Sequence, residues 1–416
     1  MHPNPLISSD PGLRVIRAAW VADGAGRVFA PGAIALRGAS VLAVGSPESI
    51  GVVGGAGAPE DWTGHGVLPA LVNAHAHLDL TAVGPVGDPR AFDAWLAGVR
   101  SARSAMSADA VAASVELGAQ HSVRGGVAAI GDIAGQNAPA ASAASLRRHG
   151  LAGCVFEEVF GMGNRRPAAL EAVARSVATA EAVGGADGVR PGLQPHAPYS
   201  SHREVYEAAL RTGLPVATHL AETPDERTFL RDGEGPYRRL LESLGLWEPE
   251  VVTGDAHPVD WLEARLSAAP GRRILCAHLN DLDDRALELL SRLPVDVAYC
   301  PRASAYFGHS GHRYRDMRSA GINVCLGTDS AICLDTPDRI STVDDLRLLM
   351  RRDGVSLGDA VAMAASCGAA ALGLDAARWT LRPGPVAGVL AVAVGEQRDP
   401  QAFGRTTGAP AWLLRG

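Results

Sequence analysis

Apolar residues in this chain gather in short runs, separated by longer stretches rich in Ala, Leu and Arg. From Leu68 onward eight such runs follow one another: ALVNAHAHL (70–78), GVAAIGDI (126–133), GLAGCVFEEV (150–159), GLQPHA (192–197), PVATHLAE (215–222), RILCAHL (273–279), VDVAYCP (295–301) and INVCLGTDS (322–330). Short, mostly apolar runs of this kind mark strands buried on both faces, as in a parallel sheet covered by helices. Every connection is long enough for a helix. Eight strand–helix units in a row predict an α/β fold, a closed (β/α)8 TIM barrel. The competing arrangement, an open doubly wound sheet, lacks its usual mark, because no G-x-G-x-x-G loop follows the first strand.

The two ends of the chain have a different texture. Residues 13–66 and 380–414 read as short strands broken by Gly and Pro. Residues 1–66 together with 380–416 are therefore expected to form a small composite β-sandwich domain, and residues 67–379 the barrel. The connection from about 223 to 272 holds Gly233, Gly235, Pro236, Pro249 and Pro258 and is oversized for a plain strand-to-helix link. It is expected to be a partly helical insertion over the site mouth; a surface elaboration without a role is the alternative.

Composition narrows the function. The 416 residues are 47% hydrophobic and 20% charged, enough to bury a large core. The net charge is -7 with no basic block, which argues against a nucleic-acid partner, since phosphates call for clustered cations. All 38 basic residues are Arg. The chain thus has no Schiff-base lysine, no P-loop lysine and no lysine to carboxylate as a bridge between two metals. The six cysteines form no C-x-x-C pair, and several sit in apolar runs, so they are read as reduced core residues of a cytoplasmic protein. The N-terminus has no signal-peptide pattern, and no apolar stretch reaches the roughly 18–20 residues that span a bilayer. A small-molecule substrate is expected, with no nucleic acid and no membrane, and the base rate of symmetric oligomers favours a homodimer.

Candidate chemistry collects at the carboxyl ends of the strands, where barrel enzymes build their sites. His75 and His77 end the first strand, and residues two apart in a strand share a face. His219 ends the fifth strand, His278 the sixth and Asp329 the eighth. Taken singly, each has a plain alternative: an incidental H-x-H, a satisfied core histidine, or an aspartate capping a helix. Taken together, imidazoles and a carboxylate at one end of separate apolar strands make a first shell for one divalent metal ion. Zn²⁺ is the default, with Fe²⁺ or Mn²⁺ able to bind similar sites. A buried charge such as Asp329 is costly there unless paired or metal-bound. Such a metal lowers the pKa of a water from 15.7 to about 7, and Asp329 is placed to take that water's proton.

The stretch VLPALVNAHAHLDL resembles the opening H-x-H strand of the amidohydrolase superfamily. HAPYSS, THLAET, AHLND, CPRAS and GTDS resemble, in order, later motifs of its cytosine-deaminase-like and chlorohydrolase-like branch. The likeness runs from about residue 66 to 375. It implies a flanking composite β domain and a catalytic metal held by His75, His77, His219 and Asp329. It further implies that Glu222 is a proton shuttle, that His278 lies beside the activated water or the substrate, and that His196 lies near the substrate. Dinuclear members commonly use a carboxylated lysine, so a chain without lysine points to a single metal. The turn Cys300-Pro301-Arg302-Ala303-Ser304 departs from the commoner C-P-x-S-N form, and LRPGPVAGVLAV departs from the usual P-G-K-x-A-D-L ending.

A carboxyl at position 222 suits deamination of an amino-substituted heterocycle, since the ring nitrogen takes a proton as water adds and ammonia leaves neutral. In the alternative reading Glu222 is a solvated helix-start acid. The expected function is a metal-dependent aminohydrolase acting on an adenine-type nucleoside. The segment FLRDGEGPYRRLLESLGLW, CPRAS and the H-R-Y-R run at 312–315 resemble aminodeoxyfutalosine deaminases. Arg302 or Arg313 would then pair with a substrate carboxylate, or else serve as structural ion-pair partners, and His309 and His312 would line the pocket. The alternatives are deamination of guanine or another nucleobase, s-triazine hydrolysis, cyclic amide hydrolysis, or a non-catalytic structural relative.

Overall fold

The structure is a computed structural model and describes residues 12–50, 58–135, 138–183, 188–394 and 398–416. The eight expected strands are present: β1 (Leu71–His77), β2 (Val127–Ala134), β3 (Ala152–Val159), β4 (Val189–Pro195), β5 (Val216–Leu220), β6 (Ile274–His278), β7 (Val295–Tyr299) and β8, which is broken into Asn323–Leu326 and Asp329–Ser330. Their order in the sheet is their order in the chain. The first half of β8 pairs with β7 and the second half with β1, both parallel. Between the halves, the Gly327 N–H donates to Tyr299 O and the Thr328 N–H to His75 O. The eighth strand is thus bonded to both neighbours, and the sheet closes on itself as a (β/α)8 TIM barrel.

The strands read as apolar runs because both of their faces are covered; every residue of β1, β2, β5, β6 and β7 is buried. The boundary of β4 differs from the sequence expectation and begins at Val189 rather than residue 192. Arg190 and Pro191 break the apolar run there, yet both pair with β3, opposite Cys154 and Val155.

Packing divides the chain into two units. One comprises Met1–Val72, Arg124–Ala128 and Ser341–Gly416, and the other Asn73–Val123 and Ala129–Ile340. The second unit carries the helices α1 (Phe92–Ala105), α2 (Ala108–Arg124), α3 (Pro139–Arg148), α4 (Arg166–Val183), α5 (Arg203–Arg211), α6 (Pro224–Asp232), α7 (Pro236–Ser243), α8 (Pro258–Ser267), α9 (Asp284–Leu290), α10 (Pro301–Tyr306) and α11 (Tyr314–Ser319), counting α2 by most of its length. The oversized connection after β5 consists largely of α6, α7 and α8.

In the first unit, strands from both chain ends hydrogen-bond as one mixed sheet, in the order Gly384–Pro385, Ser40–Gly45, Gly32–Arg37, Leu13–Ala22, Glu60–Pro69, Gly388–Ala393 and Ala411–Arg415. Register shifts at Ala18/Trp20, Ala35/Leu36 and Val389/Leu390 bend it. Alternation along the strands puts Ile16, Ala18, Ile34 and Leu36 into one apolar cluster, and Leu13, Val15, Ala33 and Ala35 into another. Among the described residues no helix is long and apolar enough to cross a membrane. All six cysteines are free, and five are buried.

Candidate active site and metal centre

Strand periodicity sets His75 and His77 on one face of β1, their ring centroids 5.2 Å apart. Two residues earlier, Asn73 clamps the strand to the break in β8. Its Nδ2 donates to Thr328 Oγ1 (2.8 Å), and its Oδ1 accepts from the Thr328 N–H (3.1 Å). Gly327 makes the closeness possible, because a Cβ there would stand 2.8 Å from His75 Cβ and 2.9 Å from both Cys300 Sγ and His75 O. The glycine of GTDS is a close-approach glycine that lets Asp329 reach the histidines.

His219 on β5 lies 5.0 Å from His75 and 5.5 Å from His77, centroid to centroid, and His278 on β6 lies 5.4 Å from His75. Asp329 Oδ1 is 3.4 Å from His77 Nε2. Potential ligand atoms of His75, His77 and Asp329 lie mutually within 4.8 Å, as do those of His75, His219 and His278, and of Glu222, His278 and Asp329. The chain therefore brings together the four expected ligands with Glu222 and His278.

The electrostatics fit a cation at this point. Burial, and then neighbouring positive groups, hold His75, His77, His219 and His278 well below the ordinary imidazole pKa, so they are neutral and able to ligate. His219 Nδ1 is 3.0 Å from His196 O. With its proton spent on that carbonyl, Nδ1 leaves the lone pair on Nε2, which Gln194 Nε2 approaches at 3.4 Å, as the one that can ligate. Both ring nitrogens of His75 and Nδ1 of His77 are buried with no hydrogen-bond partner among the described residues. Buried polar atoms are rarely left so, and a metal ion is the partner this donor set suits. Burial raises the Asp329 carboxyl to about 6, against a lowering by the Ser330 N–H, which donates to Oδ1 at 2.8 Å.

Glu222 is buried, with Oε1 3.7 Å from His278 Nε2. Its pKa stands well above the carboxylate range, through burial first and then the charges of Asp329 and Glu226. Burial thus favours the protonated form of this carboxyl, the form from which a proton can be given up. It opens with His77, His196, His219, His278 and Asp329 onto a cavity of about 960 Å³.

His196 lies on the cavity wall, with Nδ1 2.6 Å from Ser200 Oγ and Nε2 3.7 Å from Glu158 Oε1. Other expected substrate contacts stand elsewhere. Arg302 donates to Asp335 (3.3 Å) and Thr336 (3.0 Å), and Arg313 pairs with Asp284 and Asp316. His312 stacks on Tyr299 at 3.7 Å, and its Nε2 is 2.7 Å from His278 O, so it supports the β6 end rather than lining the cavity. Neither Arg302, His309 nor His312 belongs to the cavity wall among the described residues.

Sequence reasoning passed over a buried ion triad, two of whose members, Arg103 and Glu158, lie on the same wall. Arg103 of α1 donates to Glu158 at 2.5 Å and to Asp79 at 3.1 Å. Burial raises both carboxyls, and the Arg103 charge pulls them back. The available signal was the Glu157–Glu158 pair, two acids at the carboxyl end of a strand whose earlier residues are apolar.

Residues 67–400 match the model of the amidohydrolase family. A 5-methylthioadenosine/S-adenosylhomocysteine deaminase from Pelotomaculum thermopropionicum is 28% identical over 386 residues, covering 89% of this chain and 82% of that protein. An aminodeoxyfutalosine deaminase from Deinococcus radiodurans is 29% identical over 331 residues, 75% of each chain. The crystal structure of Helicobacter pylori aminofutalosine deaminase in complex with methylthio-coformycin superposes with a TM-score of 0.77 at 18% identity, covering 96% of this chain and 98% of that one. With its strand-end histidines and aspartate inside the matched span, the chain belongs to the amidohydrolase family, metal-dependent hydrolases that act on C–N bonds other than peptide bonds.

Proposed function

We propose that this protein is a one-metal aminohydrolase that removes the exocyclic amino group of an adenine-type nucleoside. The observation that carries the reading is Glu222: a buried carboxyl 3.7 Å from His278 and within ligand-atom distance of Asp329, its pKa pushed up by burial. Deamination of a cyclic amidine needs a proton donor at the ring nitrogen, and simple amide hydrolysis depends less on one. His75, His77, His219 and Asp329 would hold the cation, and three imidazoles with one carboxylate favour Zn²⁺. A cation held there would supply a water acidified to a pKa of about 7. Asp329 would take the proton released as water adds to the amino-bearing ring carbon. Glu222 would deliver its proton to the adjacent ring nitrogen; the proton held by Asp329 would then pass to the amino group, so that ammonia leaves neutral, and Glu222 would take up the hydroxyl proton as the C=O forms. His278 steadies the developing charge at the attacked carbon.

The names of the relatives support the adenine-nucleoside class, and a cavity of about 960 Å³ leaves room beyond the purine and ribose for a 5′ substituent. Six free cysteines fit a reducing compartment, the cytosol. The test is ammonia release from adenosine, 5′-methylthioadenosine, S-adenosylhomocysteine and aminodeoxyfutalosine, beside guanine and an s-triazine. Turnover of at least one adenine nucleoside, lost on chelation and restored by Zn²⁺, is expected. Release from guanine or the triazine alone overturns the substrate class.

A further inference from the structure

Glu226 is fully buried, four residues beyond Glu222 in the first turn of α6. An acid at the third position of a helix ordinarily bonds the N–H of the capping residue, here Thr223. This one reaches further back. Its Oε2 accepts the Glu222 N–H at 3.2 Å, and the Ala221 N–H also bonds to this carboxyl. Thr223 makes no side-chain cap, and its hydroxyl pairs with Tyr237 OH at 2.9 Å instead. The segment so held is strained, because Ala221 has φ +49°, a left-handed conformation that L residues adopt at a cost of about 1–2 kcal/mol. On the other side of the same turn, Asn280 Nδ2 donates to the Glu222 carbonyl at 3.1 Å, and Ser304 Oγ fixes the amide by donating to Asn280 Oδ1 at 2.7 Å. The Asp281 N–H donates to Ala221 O.

We infer that Glu226 and Asn280 are positioning residues for the reaction, a bracket that grips the Glu222 peptide by its N–H and its carbonyl and aims the Glu222 carboxyl at the reacting ring nitrogen. The inference rests on the role of Glu222 argued above. An ordinary helix cap would stabilise α6 wherever Glu222 pointed. A bracket acts on the alignment of a proton donor, where a displacement of about 1 Å is worth up to roughly 100-fold in rate. Burial raises the Glu226 carboxyl to about 8, so its neutral form prevails near pH 7, and glutamine is a close mimic that keeps an acceptor oxygen.

The experiment compares Glu226→Ala, Glu226→Gln and Asn280→Ala with Glu222→Gln in the metal-loaded full-length protein. The readouts are kcat, KM, metal content and Tm for the best adenine nucleoside. Glu226→Ala and Asn280→Ala should each lose about 30- to 100-fold in kcat with KM within 3-fold and metal retained, while Glu226→Gln stays within about 3-fold of wild type. If Glu226→Ala keeps kcat within 3-fold and only Tm falls, Glu226 is a plain cap and the inference fails. If metal is lost in step with activity, it supports the ligands instead, and the inference fails equally. Should Glu226→Ala not fold, Asn280→Ala decides alone: wild-type kcat refutes the bracket. Full activity of Glu222→Gln would instead sink the role of Glu222 itself, which keeps the two failures apart.

Discussion

Replacing Arg103 with Met tests how the cavity wall carries its charge. The Arg103 guanidinium lies between Asp79 and Glu158, whose side chains are each 2% exposed. Methionine fills much of the same volume but strands two carboxyls away from water. Breaking a buried pair by removing one partner costs about 3–5 kcal/mol. At about 2.1 cal/mol/K per residue, unfolding all 416 residues as one transition converts that loss into a Tm drop of roughly 3–6 °C. The loss should depend on pH. Both acids are already raised by burial, and without the cation they rise further, so the folded variant keeps protons that the unfolded chain releases. Stability from such groups is present below their unfolded pKa of about 4 and is lost as pH rises through the folded value. The variant should therefore lie closer to wild type at pH 5 than at pH 8, by scanning calorimetry or urea unfolding. Adding Asp79→Asn and Glu158→Gln to Arg103→Met removes the stranded charges and should recover most of the loss at pH 8. A single variant that loses under 1 kcal/mol, or a triple variant no better than the single, refutes the charge-burial account.

Gly327→Ala should crowd His75 and Cys300, costing about 1–3 kcal/mol in stability, and should lower the metal content of the purified protein, read by elemental analysis. Asn73→Ala removes both bonds to Thr328 and should cost a similar 1–3 kcal/mol or about that, with weaker metal retention during chelator challenge. Burial raises Asp132 to about 7, although the Leu78 N–H and the Ser142 hydroxyl bond to it. Its folded pKa exceeds the unfolded one, so it favours the folded state below about pH 4 and loses that contribution as pH climbs toward 7. Asp132→Asn should flatten part of the fall in Tm between pH 5 and 8, and an unchanged slope would count against the raised value. Asp329→Ala should purify with little metal and release no ammonia, and near-normal metal content would remove Asp329 from the ligand set.

The parts of this site legible in the sequence are those written in local periodicity. An apolar run with His75 and His77 two apart states the face and the end of β1, and the runs before His219, His278 and Asp329 do the same for their strands. What stayed hidden depends on partners distant in sequence. Arg103 meets Asp79 across 24 positions and Glu158 across 55, and nothing in a helical stretch marks an arginine as buried. For Arg302 and Arg313 the sequence left a substrate carboxylate and a structural ion pair both open, because Asp335 and Asp284 lie 33 and 29 positions away and only Asp316 lies within a helical turn of Arg313. The backbone hid one more feature. Ala221, His278, Leu279 and Asp329 all have positive φ, at the carboxyl ends of β5, β6 and β8, and none is glycine. Each left-handed residue turns the chain sharply where a strand would otherwise run on, re-aiming His278 and Asp329, and the side chain that follows Ala221, toward the centre. Strain of this kind persists only where the surroundings over-determine it. The Asn73 clamp, the Glu226 and Asn280 bonds to the Glu222 peptide and the His312–His278 bond surround these turns, so polar side chains of no evident chemistry hold the backbone of the residues proposed to ligate the metal and move protons.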